Sequence, residues 1–532
     1  MSGFTQRRSN SLSLSKSCRF RAARGTALLM AAGMLGGSGL AQTPLTRDVA
    51  AVSSVEPSSA AWETAIAAGE TRVMSVYHVV GGGDVRIGYA IAELQAGIWN
   101  WTQEGIINET QPGFSLLGDP SVAYDSISGD FLVCAMSPVG AAITPKSIVV
   151  ARYDIDANPA QFDPWQTLTT PTAFTDKPWI VAGEVFSFAP APGFAGPIRE
   201  IKLREFYIAW EVAGTLNYLR SMDGGQTWVG GPGLFDVEDP GSHVLVGKWV
   251  TPRVHNKRPI YLAHLLNSRT FELVCGDDID LGAHAGEVQF TRLLSDESGN
   301  PPLAIVRNRA VNPPSVEGYV DRLPGGSTVL GRTVGVGMDL AVDPTDAGKL
   351  YVVYHDTATN VTGDNDVNIY LRVLNRVSGA IWSVGDPIQV NNDNTQFESD
   401  QFTPAIEVDA TGKIHVIFYD DRNYNELSDQ LDGTATTQPR YDVWYAWAAG
   451  SQLNFQDPGH NLELCDDPPS CANTKPAIDY GDFGAGSGDF LLRDYIGIDA
   501  GNDRIWTSFM GSSLLDTNPK KSVIWSSQIL PQ

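Results

Sequence analysis

One order of short apolar segments recurs along this chain, and that recurrence limits the possible folds more than any other feature. Each unit reads as an opening strand, a turn, a second strand, a variable loop, a third strand, another turn, and an aromatic residue at a fourth strand. Residues 404–455 show it most fully: Pro404 to Asp409, a turn closing at Gly412, Lys413 to Tyr419, a loop, Tyr441 to Trp447, then Phe455. The same order returns in Leu340–Asp343, Leu350–Tyr354, Val367–Leu371 and Trp382. It returns in Pro178–Val181, Phe206–Trp210, Leu216–Leu219 and Trp228, and again in Pro120–Asp125, Phe131–Cys134, Ile148–Arg152 and Trp165. Glu63–Ile66, Val73–Tyr77, Arg86–Ala90 and Trp99 make the first unit. Residues 242–294 match more loosely, and Tyr495–Asp499, Arg504–Ser508 and Ser522–Ser526 close the series.

A four-stranded unit of this size cannot bury both faces alone; copies stacked radially around an axis can. The expected fold is therefore all-β, a single β-propeller of four-stranded antiparallel blades. Seven blades are expected. Six is the alternative, because the fourth unit is weak and a long insertion lies near 295–335. A pair of β-sandwiches would not explain one strand order repeated seven times. The 53 Gly and 32 Pro, spread over 532 residues, argue against a helical bundle. The last unit lacks a fourth strand. Residues 46–56 alternate in polarity and are expected to supply it, because an open ring would leave exposed sheet edges. The expected organisation is residues 1–41 as a signal peptide, 42–61 as an N-terminal segment with the closing strand, and 62–532 as the propeller.

Charge and cysteines bear on compartment and partners. The formal net charge is −24, and so acidic a chain repels phosphate backbones, which excludes nucleic acid as a partner. The first 41 residues carry Arg7, Arg8, Lys16, Arg19, Arg21 and Arg24 and no acid, followed by an apolar Ala/Leu/Met/Gly run that ends near Ala41. That pattern reads as a secretory signal, too short and Gly-rich to span a bilayer. No later segment is apolar enough to span one. A secreted or periplasmic monomer is expected. Cys465 and Cys471 bracket a short polar, proline-containing loop and are expected to form a local disulfide. Cys134 and Cys275 lie in apolar runs and are expected to be buried strand residues.

The sharpest local pattern is Ser221-Met-Asp223-Gly-Gly225-Gln-Thr227-Trp228, an S-x-D-x-G-x-T-W. Ser and Asp side chains at such spacing accept bonds from nearby backbone N–H groups, Gly225 permits positive φ, and the Trp opens an outer strand. It resembles the Asp box of the sialidase-like (bacterial neuraminidase repeat) β-propellers. Residues 93–99 and 376–382 are eroded copies keeping the Gly and Trp. The resemblance implies that Ser221, Asp223, Gly225, Thr227 and Trp228 form a peripheral structural turn, on the face opposite the ligand site. Asp223 is accordingly not expected to be a catalyst.

If that turn joins third and fourth strands at one end of a blade, alternation sends the loops after second strands and before first strands to the other end. This second face gathers ionisable groups. After second strands come His78, Glu211, His264, His355, Asp356, Asp420, Asp421 and Arg422. Before first strands come Asp119, Asp176, Lys177, Gln401, Arg493 and Asp494, followed by Tyr495, while Arg86 and Arg440 open third strands. The binding candidates are Glu211, His355, Asp356, Asp420, Asp421, Arg422, Arg440, Arg493, Asp494 and Tyr495, lining a polar funnel for a glycan or small polar ligand. A pairing of Asp421 with Arg422 is the alternative use of those charges.

The resemblance also implies a hydrolase reading: arginines clamping a carboxylate, a Tyr–Glu nucleophile pair and an acid Asp. Arg422, Arg440 and Arg493 would be the cluster, with Tyr424, Glu426 and Tyr495 as partners. The F/Y-R-I-P segment of that family is absent, and Arg86 stands in a segment without the Pro. Non-catalytic binding is the expected function, with an exo-alpha-sialidase type of hydrolase as the alternative. No cofactor or metal site is expected; Asp364-Asn-Asp366 and Asp277-Asp-Ile-Asp280 have spacings that could hold Ca²⁺ but lack an EF-hand pattern.

Overall fold

The computed structural model describes residues 45–48, 60–81, 84–114, 117–138, 146–157, 159–169, 175–189, 199–212, 215–230, 235–236, 250–255, 258–267, 270–278, 288–292, 304–306, 337–346, 348–357, 367–378, 381–393, 401–420, 422, 440–450, 453–457, 460–464, 478–479, 496–501, 504–512 and 522–529. All named elements among them are β-strands, and no helix there is long and apolar enough to cross a membrane.

The described strands fall into seven antiparallel sheets. The first holds Ala60–Ala68, Arg72–Gly81, Asp84–Gln95 and Ile98–Ile106. The second holds Gly118–Tyr124, Phe131–Pro138 and Lys146–Asp154, with Gln161–Phe162 and Gln166–Thr167 both on its third strand. The third is Thr175–Ala189, Arg199–Val212, Thr215–Ser221 and Phe235–Asp236. The fourth is Val250–His255, Arg258–Asn267, Thr270–Asp278 and Val288–Arg292, and Ala304–Val306 also pairs with its third strand. The fifth is Met338–Val342, Lys349–Thr357, Val367–Ser378, Ile381–Val384 and Ile388–Gln389. The sixth is Gln401–Val408, Ile414–Asp420, Arg440–Ala448, Asn461–Glu463 and Ile478–Asp479. The seventh is Gly497–Gly501, Arg504–Ser512 and Ser522–Ile529 with Leu45–Asp48 from the other end of the chain. Leu45 sits opposite Gln528 and Asp48 opposite Trp525. Each sheet's first strand touches the first strand of the next, and the seventh touches the first. This is a propeller. Cys465, Cys471 and most of residues 46–56 lie outside the described residues, and of the side chain of Cys275 nothing is described.

Second strands are covered on both sides, so they lose alternation and become continuous apolar runs. All of Phe131–Ser137 and all of Ile414–Asp420 are buried. Apolar clusters fill the seams between sheets. One joins Met74 and Ile91 of the first sheet to Phe131, Val149 and Trp165 of the second. Another joins Val353 and Leu371 of the fifth to Phe418 and Ala446 of the sixth. Trp99 and Trp506 meet edge-on at 4.8 Å where the first and seventh sheets adjoin.

A first strand pairs with its own second strand on one edge only, so its other edge presents N–H groups that need acceptors. In each described case where a side chain accepts one of these bonds across a seam, it belongs to the preceding sheet. Ser121 Oγ accepts from Ile180 N at 3.2 Å, and Asp339 Oδ2 from Ile406 N at 3.1 Å. Asp499 Oδ2 accepts from Ala68 N at 2.6 Å, carrying the pattern from the seventh sheet to the first. At that same seam Ser508 Oγ lies 2.5 Å from Thr64 Oγ1 and 2.7 Å from Ser75 Oγ, all buried.

Three of the described hairpins joining first to second strands share one device. Asp343 Oδ1 accepts from Thr345 N and Oγ1, and Asp409 Oδ1 accepts from Thr411 N and Oγ1. Asp125 does the same with Ile127 N and Ser128 Oγ, and also pairs with Arg204 of the next sheet. Burial alone would push Asp409 up. Bonds from His415, Thr411 and the Lys413 N–H hold it instead well below the usual carboxylate range.

Ser221–Trp228 closes the third sheet at this same end. Asp223 Oδ1 accepts from Gln226 N at 3.0 Å, Thr227 N at 2.9 Å and Ser221 Oγ at 2.9 Å, and Oδ2 accepts from Thr227 Oγ1 at 2.6 Å. Gly225 has φ 86°, and a Cβ there would come within 2.4 Å of Leu132 in the second sheet. Trp228 packs into the seam between second and third sheets. In the first sheet the eroded copy has become a two-residue turn with positive φ at both Ala96 and Gly97. Replacing Asp223 with Ala should lower stability by about 1 kcal/mol, seen as a lower urea midpoint with an unchanged slope. An unchanged midpoint would mean that the turn holds without its carboxylate.

Candidate functional site

At the end opposite the Ser221 turn, four first strands carry the same irregularity. Each has a shift in register at a non-glycine residue of positive φ: Glu63 (42°), Asp119 (49°), Lys177 (49°) and Thr403 (50°). Such bulges re-aim side chains, and side-chain-bearing residues occupy this region only when their surroundings hold them there. Here the surroundings are two polar groups.

The first group spans three sheets. His78 stands near the end of its second strand. Its Nδ1 lies 2.8 Å from Glu63 Oε2, and its Nε2 accepts from Asp119 N at 2.5 Å. Asp119 Oδ2 in turn accepts from Lys177 N at 3.3 Å. The ligand atoms of Glu63, His78 and Asp119 lie close enough together to surround an ion. His78 Nε2 is taken up by the Asp119 N–H and Nδ1 faces Glu63 Oε2, so the trio links the first, second and third sheets.

The second group lies where the fifth sheet meets the sixth. Asn391 Nδ2 is within bonding distance of Asn368 Oδ1 (2.7 Å), Asp393 Oδ1 (2.5 Å) and Gln401 Oε1 (2.8 Å). Gln389 Nε2 donates to Asn368 Oδ1 at 2.7 Å, and Gln401 Nε2 to Asp393 Oδ2 at 3.2 Å. Gln401 sits opposite Asp420 in the ladder. Asp420 accepts from Arg422 Nε at 2.7 Å, and Arg422 Nη1 donates to Asn392 Oδ1 at 3.1 Å. The Arg422 guanidinium lies over the Trp444 ring at 3.8 Å. His355 Nδ1 accepts from Thr403 N at 3.2 Å. Burial pushes the Asp420 carboxyl up to about 6 against the pull of Arg422, and the nearby Asp393 adds to the rise.

Of the binding candidates, His355, Asp420 and Arg422 join this second group. Asp356 lies beside them, buried and opposite Asn368. Glu211 and Arg440 are described by backbone alone: Glu211 near the end of a second strand opposite Asp176, and Arg440 as the first residue of a third strand. Asp421, Arg493, Asp494 and Tyr495 lie outside the described residues, as do Tyr424 and Glu426. The described ion-pair partner of Arg422 is Asp420, two residues back, because the end of the second strand holds that carboxylate under the guanidinium. Glu63, Asn368, Asn391, Asn392, Asp393 and Thr403 were not singled out in the sequence. Asn391-Asn-Asp393 carried a signal, three polar residues leading toward a first strand.

A Tyr–Glu–Arg arrangement does exist, but elsewhere. Tyr207 donates to Glu205 Oε2 at 2.8 Å, and Arg220 pairs with the same carboxylate. All three are buried beside the Ser221 turn, at the wrong end of the third sheet to line the loop-end face.

No protein-family model and no curated protein matches the chain. Among solved structures it is similar to the NanB sialidase of Streptococcus pneumoniae (12% identity, TM-score 0.37, 88% of this chain and 68% of that one). It is also similar to the fucose-specific lectin of Aleuria aurantia (11%, 0.36, 75% and 99%). The sialidase of Trypanosoma rangeli is matched at 8% identity and TM-score 0.37, over 68% of this chain and 52% of that one.

The position of Asp420 sets a pH dependence. Its carboxyl titrates higher folded than unfolded, so its stabilising contribution is complete below the unfolded value and is lost as pH rises through about 6. The stability of the protein relative to Asp420→Asn should therefore fall on going from about pH 4 to about pH 7, by on the order of 2 kcal/mol. Urea midpoints at the two pH values measure it; a pH-independent difference would show that Asp420 is charged throughout.

Proposed function

We propose that this propeller is an exported, non-catalytic protein that binds a glycan or similar polar ligand at its loop-end face. In this reading each of the seven sheets is one blade, and Leu45–Asp48 is the outermost strand of the last. The observation that carries the ligand assignment is the seam group between fifth and sixth sheets. Planar amides, carboxylates and an arginine laid on an indole are gathered there, the donors and acceptors that meet sugar hydroxyls. Asn392, Asp393 and Arg422 keep part of their surface open at its rim, while Asn391, Gln401 and Asp420 beneath them are buried and hold the rim in place.

Binding is favoured over hydrolysis by how Arg422 is used. A clamp arginine offers its charge to the substrate carboxylate; this one is held by Asp420 and Trp444. The basic-then-apolar character of the first 41 residues supports export.

The test is binding of the full chain to a panel of immobilised neutral and sialylated oligosaccharides. Asn392→Ala and Arg422→Ala should each weaken capture by about tenfold or more, while Asp223→Ala at the far end leaves it unchanged. Fluorogenic sialosides should not be turned over. Turnover that Arg422→Ala abolishes would replace this reading with a hydrolase.

A further inference from the structure

We propose that His78 and His355 are acid-released latches between neighbouring sheets. The two residues stand at corresponding places, near the ends of second strands in the first and fifth sheets. Each accepts, through a ring nitrogen, the backbone N–H of the bulge residue in the following sheet: Asp119 for His78 and Thr403 for His355. A ring nitrogen accepts only while it carries a lone pair, so both latches require the neutral ring. The tautomers are opposite. His78 accepts at Nε2, with Nδ1 facing Glu63 Oε2 at 2.8 Å, whereas His355 accepts at Nδ1.

Protonation turns each accepting nitrogen into a donor. An N–H then faces an N–H across a gap that was a hydrogen bond, and the attraction becomes a repulsion. For His78 the groups that face or adjoin the ring are Glu63 on the first strand of its own sheet and Asp119 on the next sheet, with Lys177 behind Asp119 and Arg86 on the adjoining third strand. Glu63 retains a protonated ring in place, so the bond to Asp119 is the one that breaks. For His355 the neighbouring charged groups are Asp356 on its own strand and Asp339 on the strand beside it; Asp420 and Asp393 lie beyond Gln401. A protonated ring leaves the Thr403 N–H without the acceptor it has in the neutral form.

The bulges make the loss consequential. Asp119 and Thr403 hold φ of 49° and 50°, a conformation sustained only by what surrounds it. Once released, each can relax toward regular pairing and take its seam with it. Asp119 carries the contact to Lys177 in the third sheet, and Thr403 lies two residues from Gln401 of the amide group. Acidification is thus expected to open the loop-end face at two seams while the apolar cores between sheets persist.

The experiment is amide hydrogen exchange on the full chain at about pH 7.5 and about pH 5, corrected for intrinsic rates. Segments 117–124 and 401–408 should lose protection by about tenfold or more in acid, while the buried strand 131–136 does not. His78→Gln should flatten the response at 117–124 only, and His355→Gln at 401–408 only, since glutamine does not titrate. Asp420→Asn should leave the response at 401–408 in place, which separates the latch from that carboxyl. Equal protection at both pH values in the unmodified protein would overturn the proposal, and so would a response that survives in its own glutamine variant. Should a variant fail to fold, the unmodified protein still decides: loss spread equally over 131–136 would be general acid unfolding and would likewise overturn it.

Discussion

A first strand in a ring of sheets has one edge that no ladder covers, and its amide hydrogens must be answered from somewhere. Here the answer comes from polar side chains of the preceding sheet: Ser121 to Ile180, Asp339 to Ile406, His78 to Asp119, His355 to Thr403 and Asp499 to Ala68. An unpaired buried N–H costs on the order of 1–3 kcal/mol, so these bonds are conditions of assembly and not additions to it. They also run in one direction around the axis. Apolar packing between sheets supplies attraction without direction; the side-chain-to-amide bonds determine how far one sheet slides along the next.

The two ends of the sheets spend their polar residues differently. At the end with the Ser221 turn, carboxylates serve the hairpin that contains them, as Asp343, Asp409 and Asp223 do, or reach one sheet over, as Asp125 does to Arg204. At the other end, polar groups meet across seams and among residues far apart in the chain. His78 joins Glu63 and Asp119; Asn391 joins Asn368 and Gln401. The first arrangement stiffens a turn. The second positions side chains from several strands against one another, which is what a recognition surface needs.

Much of this was legible beforehand because it depends on local chemistry. The Ser221–Trp228 turn could be read from eight consecutive residues, since every bond Asp223 makes is to a neighbour within four positions. The strand order could be read from its repetition, and the sorting of loops to two ends followed from alternation alone. The aspartates that follow first strands, at 125, 343 and 409, were visible as a recurring residue, but their role became clear only with the hairpins in hand. Cluster membership was harder. Arg422 drew attention as a ligand-binding charge or as a partner of Asp421, yet the fold gives it to Asp420 and Trp444. Glu63 and Thr403 carried no signal, because what makes them matter is a positive φ at a bulge.

The amino-acid sequence by itself determined an acidic all-β chain of repeated modules and the end of each module at which the compact Asp turn would lie. These follow from periodicity and from bonds between near neighbours, which need no partner from elsewhere. Tertiary structure alone decided which charges are neutralised, which amides gather between fifth and sixth sheets, and which histidine nitrogen accepts which N–H. Those outcomes depend on the register of one sheet against the next, and that register is set by contacts between residues tens of positions apart, which no local pattern encodes.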